Sequence, residues 1–234
     1  IPLLLHDRPD TDIILLDDAF QHRKIIAGMN ILLTEYENLY TRDWYLPTGD
    51  LRDSTRESKR ANIIVVTKCP DDLSANEMEN IKQELKLLKH QHLFFTGISY
   101  GSVKHIITGE TKNIADMEEV LLVTGIANPK PLKKYLAQQV HSFEELSYSD
   151  HHIFSIDDLN EIKNKFKKME PGEKIILTTE KDAVRLVKFG KEIASLPFYT
   201  IPVEMKFIDG NEQNFVNIIE GFIASYQQNK INNA

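Results

Sequence analysis

Runs of β-prone residues alternate with amphipathic helical stretches along this chain, and that alternation constrains its fold more than any other feature. The runs fall at 12–17, 29–36, 62–68, 92–97, 119–125, 174–179 and 196–208. Ile63-Ile64-Val65-Val66 has no polar interruption, the pattern of a strand covered on both faces. Ser74 is placed to cap a helix through Leu88, with Met78, Ile81, Leu85 and Leu88 at helical spacing. Pro131 starts a second helix through Val140. Ser155 caps a third, with Leu159, Ile162 and Phe166 on one face, and Asn214 to Tyr226 makes a C-terminal helix. Such alternation predicts an α/β fold with a mainly parallel sheet. Around 98–116, Tyr100-Gly101-Ser102 and Thr108-Gly109-Glu110 break the pattern. The expected organisation is therefore a first lobe over 1–97, a connector over 98–116, a second, smaller α/β lobe over 117–195, and a return strand with the C-terminal helix over 196–234. Phe198–Phe207 is expected to run back antiparallel to 98–107, because both alternate apolar and polar residues. There is no internal repeat, and low complexity is confined to the polar tail from Gln227.

Composition removes several functional classes. A formal net charge of −7 argues against a broad nucleic-acid surface. Cys69 is the single cysteine, so no internal disulfide can form. No apolar run is long enough to span a bilayer.

The chemistry is concentrated where apolar runs end. Ile13-Ile14-Leu15-Leu16 leads into Asp17-Asp18, followed by Gln21-His22-Arg23. Carboxylates at the end of a parallel strand face the crevice where α/β sheets bind ligands, and there they can hold Mg²⁺ as a nucleotide hydrolase's Walker B strand does. The competing reading is a strand and a polar turn, with the aspartates as helix caps. Only one of two adjacent strand-end side chains points into a given face, so one aspartate would bind Mg²⁺ while its neighbour orients a water or another group near the metal. Leu46-Pro47-Thr48-Gly49-Asp50-Leu51-Arg52-Asp53 reads as a tight loop in which Arg52 can pair with phosphate and Asp53 can cap. Lys68 ends a buried strand where nucleotide-binding proteins lay a lysine stem against the base. Its setting, Thr67-Lys68-Cys69-Pro70, lacks the Asn and Asp of a guanine-reading Asn-Lys-x-Asp motif. Asp150-His151-His152 supplies a histidine beside a carboxylate, suited to proton relay, or else a helix cap. Gly125-Ile126-Ala127-Asn128-Pro129 and Thr178-Thr179-Glu180-Lys181-Asp182 both follow strands, so Asn128, His151 and Lys181 are expected to line the second lobe's side of a cleft. No G-x-x-x-x-G-K-[ST] phosphate loop occurs, and the chain opens on Ile1-Pro2 just before an interior-type run. The expectation is a fragment whose phosphate loop lies upstream.

Taken in order, five strings resemble those of the lipid A 4′-kinases, also called tetraacyldisaccharide 4′-kinases. They are Asp17-Asp18-Ala19-Phe20-Gln21-His22, Leu46 to Asp53, Gly125 to Pro129, Asp150-His151-His152 and Thr178 to Ala183. The resemblance implies a P-loop-kinase-like first lobe and transfer of the ATP γ-phosphate to the 4′-hydroxyl of a tetraacyl glucosamine disaccharide 1-phosphate, with Mg²⁺. It implies work on a lipid disaccharide 1-phosphate at the membrane surface, on the cytoplasmic face of the bacterial inner membrane, and no nucleic-acid partner. By matching positions it implies that His151, Asp150 and Asp18 serve catalysis and that Asp17 and Asp53 serve the metal. Gln21, His22, Arg52 and Asn128 would meet the acceptor, and Lys68 and Lys181 the nucleotide. His151 matches a histidine partnering a catalytic aspartate that would lie upstream of Ile1. Two departures stand out: Ala19 where the family usually has Gly, and Asp53 where it commonly has Glu. Trp44-Tyr45-Leu46 with Leu39-Tyr40 is the expected acyl-chain edge.

The residues alone leave other readings open. These are a non-catalytic binding module that keeps the acceptor face, a GTPase-like switch, and a glycosidase using two carboxylates.

Overall fold

The computed structural model describes the backbone of residues 2–232 and the side chains of residues 3–225. Its strands are β1 (Ile31–Glu35), β2 (Ile63–Thr67), β3 (His92–Tyr100), β4 (Val103–His105), β5 (Thr111–Lys112), β6 (Glu119–Thr124), β7 (Ser142–Ser147), β8 (Lys174–Thr179), β9 (Phe198–Ile201) and β10 (Val203–Phe207). Its α-helices are α1 (Pro2–Asp7), α2 (Ala75–Leu85), α3 (Lys130–Gln139), α4 (Ile156–Lys168), α5 (Glu180–Leu186), α6 (Gly190–Ile193) and α7 (Glu212–Asn232). The chain divides into two compact units. One comprises residues up to Ile98 and from Met205 onward, the other Ser99–Glu204.

The first unit is built on a sheet ordered β1-β2-β3-β10. β1, β2 and β3 run parallel, with Ile31 opposite Ile63 and Ile63 opposite His92. Strand residues alternate faces, and β2 divides its side chains accordingly. Ile64 and Val66 pack with Ile81 and Leu85 of α2. Ile63 and Val65 pack with Phe94, Phe215, Ile218 and Ile219, the last three placing α7 on the opposite face. Phe94 meets Phe215 edge-on with centroids 5.3 Å apart. α2 begins in a reciprocal capping box: Glu77 N–H donates to Ser74 Oγ at 3.2 Å, and Ser74 N–H donates to the Glu77 carboxylate at 3.1 Å. Cys69 is buried in the same core cluster as Ile64 and Val66.

The second unit carries a sheet ordered β5-β4-β9-β8-β6-β7. β9, β8, β6 and β7 are parallel, and β4 runs antiparallel to β9 with Lys104 opposite Thr200. β6 again sends alternate residues to two helical layers. Val120 and Leu122 meet Leu132 and Leu136 of α3, whereas Leu121 and Val123 meet Leu159 and Ile162 of α4 and Leu186 of α5. Both sheets are thus mainly parallel and covered on both faces by helices, the α/β class that the alternation predicts.

Three local differences from the sequence reading have physical causes. The apolar run at 12–17 is not a strand: residues 11–16 have no regular structure, and Leu15 is 91 % exposed. An extended segment gains little without a ladder partner for its backbone groups, and none is formed here. β7 arises from Ser142-Phe143-Glu144-Glu145-Leu146-Ser147, where adjacent glutamates hide the alternation. It is an edge strand of its sheet, and charge on an edge strand discourages pairing with another chain. α2 stops at Leu85 rather than Leu88, because Lys86 turns left-handed at φ 49°. The tail expected from Gln227 is helical through Asn232, and its side chains lie outside the described residues.

Candidate active site

In the first unit, Asp17-Asp18-Ala19-Phe20-Gln21-His22 is a series of turns rather than the end of a strand. Asp18 adopts φ 48°, a left-handed conformation that Asp tolerates better than most residues. Gln21 Nε2 donates to the Asp18 carbonyl at 2.8 Å, and His22 N–H donates to the Ala19 carbonyl at 2.9 Å. Arg52 grips the Asp18 carboxylate with both terminal nitrogens, at 2.9 and 2.5 Å. That hydrogen-bonded guanidinium holds the Asp18 carboxyl below the usual carboxylate range. Arg23 donates to Asp53 at 2.7 Å and lies 3.2 Å from Glu57. Asp53 is likewise held low, first by Arg23 and then by the Ser54 N–H. The Arg60 guanidinium sits 4.6 Å from the Phe20 ring centroid and donates to the Phe20 carbonyl at 2.7 Å. Exposed ion pairs of this kind contribute little to stability. Their effect here is to tie the 17–23 turns to the 52–60 segment.

The loop between these segments is shaped by Asp43. Its carboxylate accepts the Trp44 N–H at 2.7 Å and the Asp50 N–H at 3.2 Å. A Cβ at Gly49 would stand 2.3 Å from the Trp44 carbonyl oxygen and 2.4 Å from Asp43 Oδ1, so only glycine fits this tightly closed loop. Trp44, Tyr45 and Leu46 at its tip are exposed.

Mg²⁺ in phosphoryl-transfer sites takes one or two carboxylates and fills its remaining positions with water and phosphate. Among the described residues no three acidic, histidine or cysteine side chains converge to hold a metal. Asp17 is exposed and makes no hydrogen bond or ion pair among the described residues, so it fits the single-carboxylate role. Asp53 fits poorly, because Arg23 and the Ser54 N–H occupy its oxygens. Lys68, at φ 57°, is also engaged: its ammonium pairs with Glu35.

The second unit assembles its polar residues at the carboxyl ends of β6 and β8. Thr179 caps α5 by accepting the Asp182 N–H at 3.2 Å. Asp182 is fully buried, yet its oxygens accept from the Gly125 N–H at 2.9 Å, the Thr179 hydroxyl at 2.9 Å and Arg185 Nη1 at 2.9 Å. A buried carboxylate is tolerated when it is paired and hydrogen-bonded in this way. Arg185 Nη2 lies 3.0 Å from His151 Nδ1. His151 adopts φ 60°, and its N–H donates to Asp150 Oδ1 at 2.9 Å. Its imidazole is largely exposed, with Nε2 3.7 Å from Asp150 Oδ2.

The two adjacent histidines have separate tasks. His152 stacks on Tyr148 at 4.6 Å, and its Nε2 lies 3.0 Å from Asp158, the residue that completes the Ser155 capping box of α4. It is a structural histidine, while His151 presents its ring to solvent. Burial pushes the Tyr148 hydroxyl upward, and its contact with Glu161 adds to the shift. Asn128 Oδ1 accepts the Lys130 N–H at 3.2 Å, which spends that oxygen on the start of α3. Lys181 is exposed with no partner among the described residues. Asp150 and His151 are neighbours in sequence and in contact here, while Asp182 and Arg185 were not singled out as site residues. The signal for them was present: Thr179 with Asp182 three residues on is a capping pair, and Arg185 follows one turn later on the same face.

Comparison with known proteins bears on the whole assembly. The model of the family described as tetraacyldisaccharide-1-P 4′-kinase matches residues 2–224. A tetraacyldisaccharide 4′-kinase of Flavobacterium johnsoniae is 46 % identical over 226 residues, covering 94 % of this chain and 62 % of its own length. One from Bacteroides fragilis (strain YCH46) is 38 % identical over 236 residues, covering 97 % of this chain and 63 % of its own. The crystal structure of LpxK from Aquifex aeolicus in complex with ATP aligns with a TM-score of 0.62 at 23 % identity, over 94 % of this chain and 61 % of that one. That likeness supports the α/β fold. The chain spans rather less than two thirds of the length of the curated relatives it matches.

Proposed function

Because the chain belongs to the tetraacyldisaccharide-1-P 4′-kinase family, we propose that its protein is an ATP-dependent kinase for the 4′-hydroxyl of a tetraacyl glucosamine disaccharide 1-phosphate. In that reaction the sugar oxygen bonds to the γ-phosphorus as the bond to the β–γ bridging oxygen breaks. ADP leaves, and the hydroxyl proton passes to a base. Such chemistry depends on positioning and on neutralising charge rather than on covalent help from the protein. When bound, Mg²⁺ supplies neutralisation of the β- and γ-phosphates, and Asp17 is the carboxylate suited to hold it. Asp150 and His151 form the carboxylate–histidine pair for proton management. Asp18 serves as the partner that keeps Arg52 oriented, and Arg52 exchanges that carboxylate for a phosphate of matching bidentate geometry. Gln21, His22 and Asn128 are contacts for the acceptor. Lys181 suits a nucleotide phosphate better than Lys68, whose ammonium is already paired.

The exposed Trp44-Tyr45-Leu46 tip supports contact with the acyl chains and with a membrane surface on the cytoplasmic side of the bacterial inner membrane. No helix among the described residues is long and apolar enough to cross a membrane. The net charge of −7 fits a reading without nucleic acid.

The observation that carries this reading is the 46 % identity to a tetraacyldisaccharide 4′-kinase across 94 % of the chain. The test is transfer of labelled phosphate from Mg·ATP to the tetraacyl disaccharide 1-phosphate. This chain is compared with the product of its complete natural coding sequence. Labelled 4′-phosphate formed by the complete product supports the reading. No transfer by either form, with substrate and Mg·ATP at saturation, overturns it in favour of a binding role.

A further inference from the structure

We propose that Arg185 is a positioning residue that fixes the His151 imidazole in one protonation form, with its lone pair on Nδ1 and its proton on Nε2. The proposal rests on the kinase reading above and goes beyond it by assigning the two nitrogens of the ring.

The argument runs outward from the sheet. Gly125, at the end of β6, and Thr179, at the end of β8, donate to the buried Asp182 carboxylate, each at 2.9 Å. The third donor is Arg185 Nη1, also at 2.9 Å. That bond anchors one arm of a rigid planar guanidinium to the sheet. The other arm, Nη2, is thereby set 3.0 Å from His151 Nδ1. A guanidinium has five N–H donors and no acceptor, so Nδ1 must accept. A neutral imidazole that accepts at Nδ1 carries its hydrogen on Nε2.

His151 needs such a restraint. Its φ of 60° is an uncommon conformation for a residue other than glycine. Its N–H is held twice, by Asp150 Oδ1 at 2.9 Å and by the Gly125 carbonyl at 3.2 Å. These contacts fix the backbone and leave the exposed ring free to turn. Arg185 is the hydrogen-bond partner on the ring itself, while Asp150 Oδ2 stands 3.7 Å from Nε2. Gly125 meets both ends of the arrangement, since its N–H reaches Asp182 and its carbonyl reaches the His151 N–H. With Nδ1 occupied, Nε2 is the nitrogen left to face a reacting group, and it faces it as a donor to an anionic oxygen. His151 therefore does not take the sugar proton.

Three variants of the complete protein test this, each labelled with ¹⁵N-histidine and assayed for kinase activity. Arg185→Lys keeps a cation beside Asp182 but cannot span to Nδ1. Arg185→Met removes both bonds. His151→Ala removes the ring. In the parent, long-range ¹H–¹⁵N spectra are expected to show His151 with Nδ1 unprotonated and Nε2 protonated at neutral pH. Arg185→Lys is expected to fold with an unchanged circular dichroism spectrum, to populate both tautomers, and to lose about 10–100-fold in kcat. Its KM for ATP should stay within about twofold. A parent His151 that populates both tautomers, or an Arg185→Lys enzyme with parental kcat, overturns the proposal. If Arg185→Met fails to fold, Arg185→Lys still decides. If His151→Ala retains parental kcat while the parent spectrum shows the single tautomer, the geometric assignment stands and the kinase role of His151 fails.

Discussion

Asp182→Asn isolates the charge of the buried carboxylate while keeping its shape. The asparagine oxygen still accepts from Gly125 and Thr179, but its amide turns a donor toward Arg185 Nη1, which the aspartate met at 2.9 Å. Removing one partner of a buried ion pair costs about 3–5 kcal/mol, mostly from the charge left behind. Arg185 retains 25 % side-chain exposure and can turn partly to water, so the lower end applies, about 3 kcal/mol. For a chain of this length that corresponds to a melting temperature lower by about 6–12 °C. The assay is a urea titration followed by circular dichroism, with the m-value checked against the parent. Hydrogen exchange at the Gly125 amide locates the loss in the second unit. Asp18→Asn is the control: it also breaks a close bidentate pair with arginine, but an exposed one, so no stability change should be detected. An Asp182→Asn protein within about 1 kcal/mol of the parent would refute the reasoning, because burial would then not distinguish the two pairs.

Asp17→Asn in the complete enzyme should shift the Mg²⁺ titration of activity to higher concentration, and an unchanged titration removes Asp17 from the metal role. Trp44→Ala should weaken sedimentation with acidic phospholipid vesicles at least severalfold while leaving the urea midpoint unchanged, since the ring is 73 % exposed. Equal vesicle binding by the two proteins dismisses the loop tip as a membrane contact. Asp158 is pulled upward by burial, but hydrogen bonds from His152 and Ser155 outweigh this and leave it depressed. A depressed acid stabilises the fold fully above its ordinary value and loses that contribution as pH falls through the folded one. Asp158→Asn should therefore lose stability at pH 6 and converge on the parent in the acid limb; a constant difference at every pH contradicts the linkage.

What the sequence disclosed depended on whether the deciding interaction was local. The caps at Ser74 and Ser155 are settled within four residues, so the starts of α2 and α4 were readable. The uninterrupted run in β2 was readable because burial on both faces leaves no polar position. The run at 12–17 carried equally strong β propensity, but a strand also needs a partner's hydrogen bonds, and a run of residues does not reveal whether it gets one. β7 failed in the opposite direction, since its parallel neighbour β6 supplies the ladder that Glu144 and Glu145 disguise. At the site, Asp150-His151 was legible as adjacent letters. Arg185 stands 34 positions from His151 and meets it only because β8 and α5 bring it there. The assignments of Arg52 and Lys68 as ligand contacts did not anticipate Asp18 and Glu35 as their present partners.

The burial of Cys69 has a practical consequence for spectroscopy. Its thiol is pushed up to about 11 by the core around it. Since only the thiolate reacts, this upward shift and the burial of the side chain leave Cys69 far less reactive near neutral pH than a solvent-facing cysteine. The native thiol is thus chemically silent to maleimides on the timescale of ordinary labelling. A single cysteine introduced on the surface of either unit would accept a fluorophore or spin label without the native one being replaced. The core cluster that anchors β2 therefore also makes the chain ready for site-specific probes.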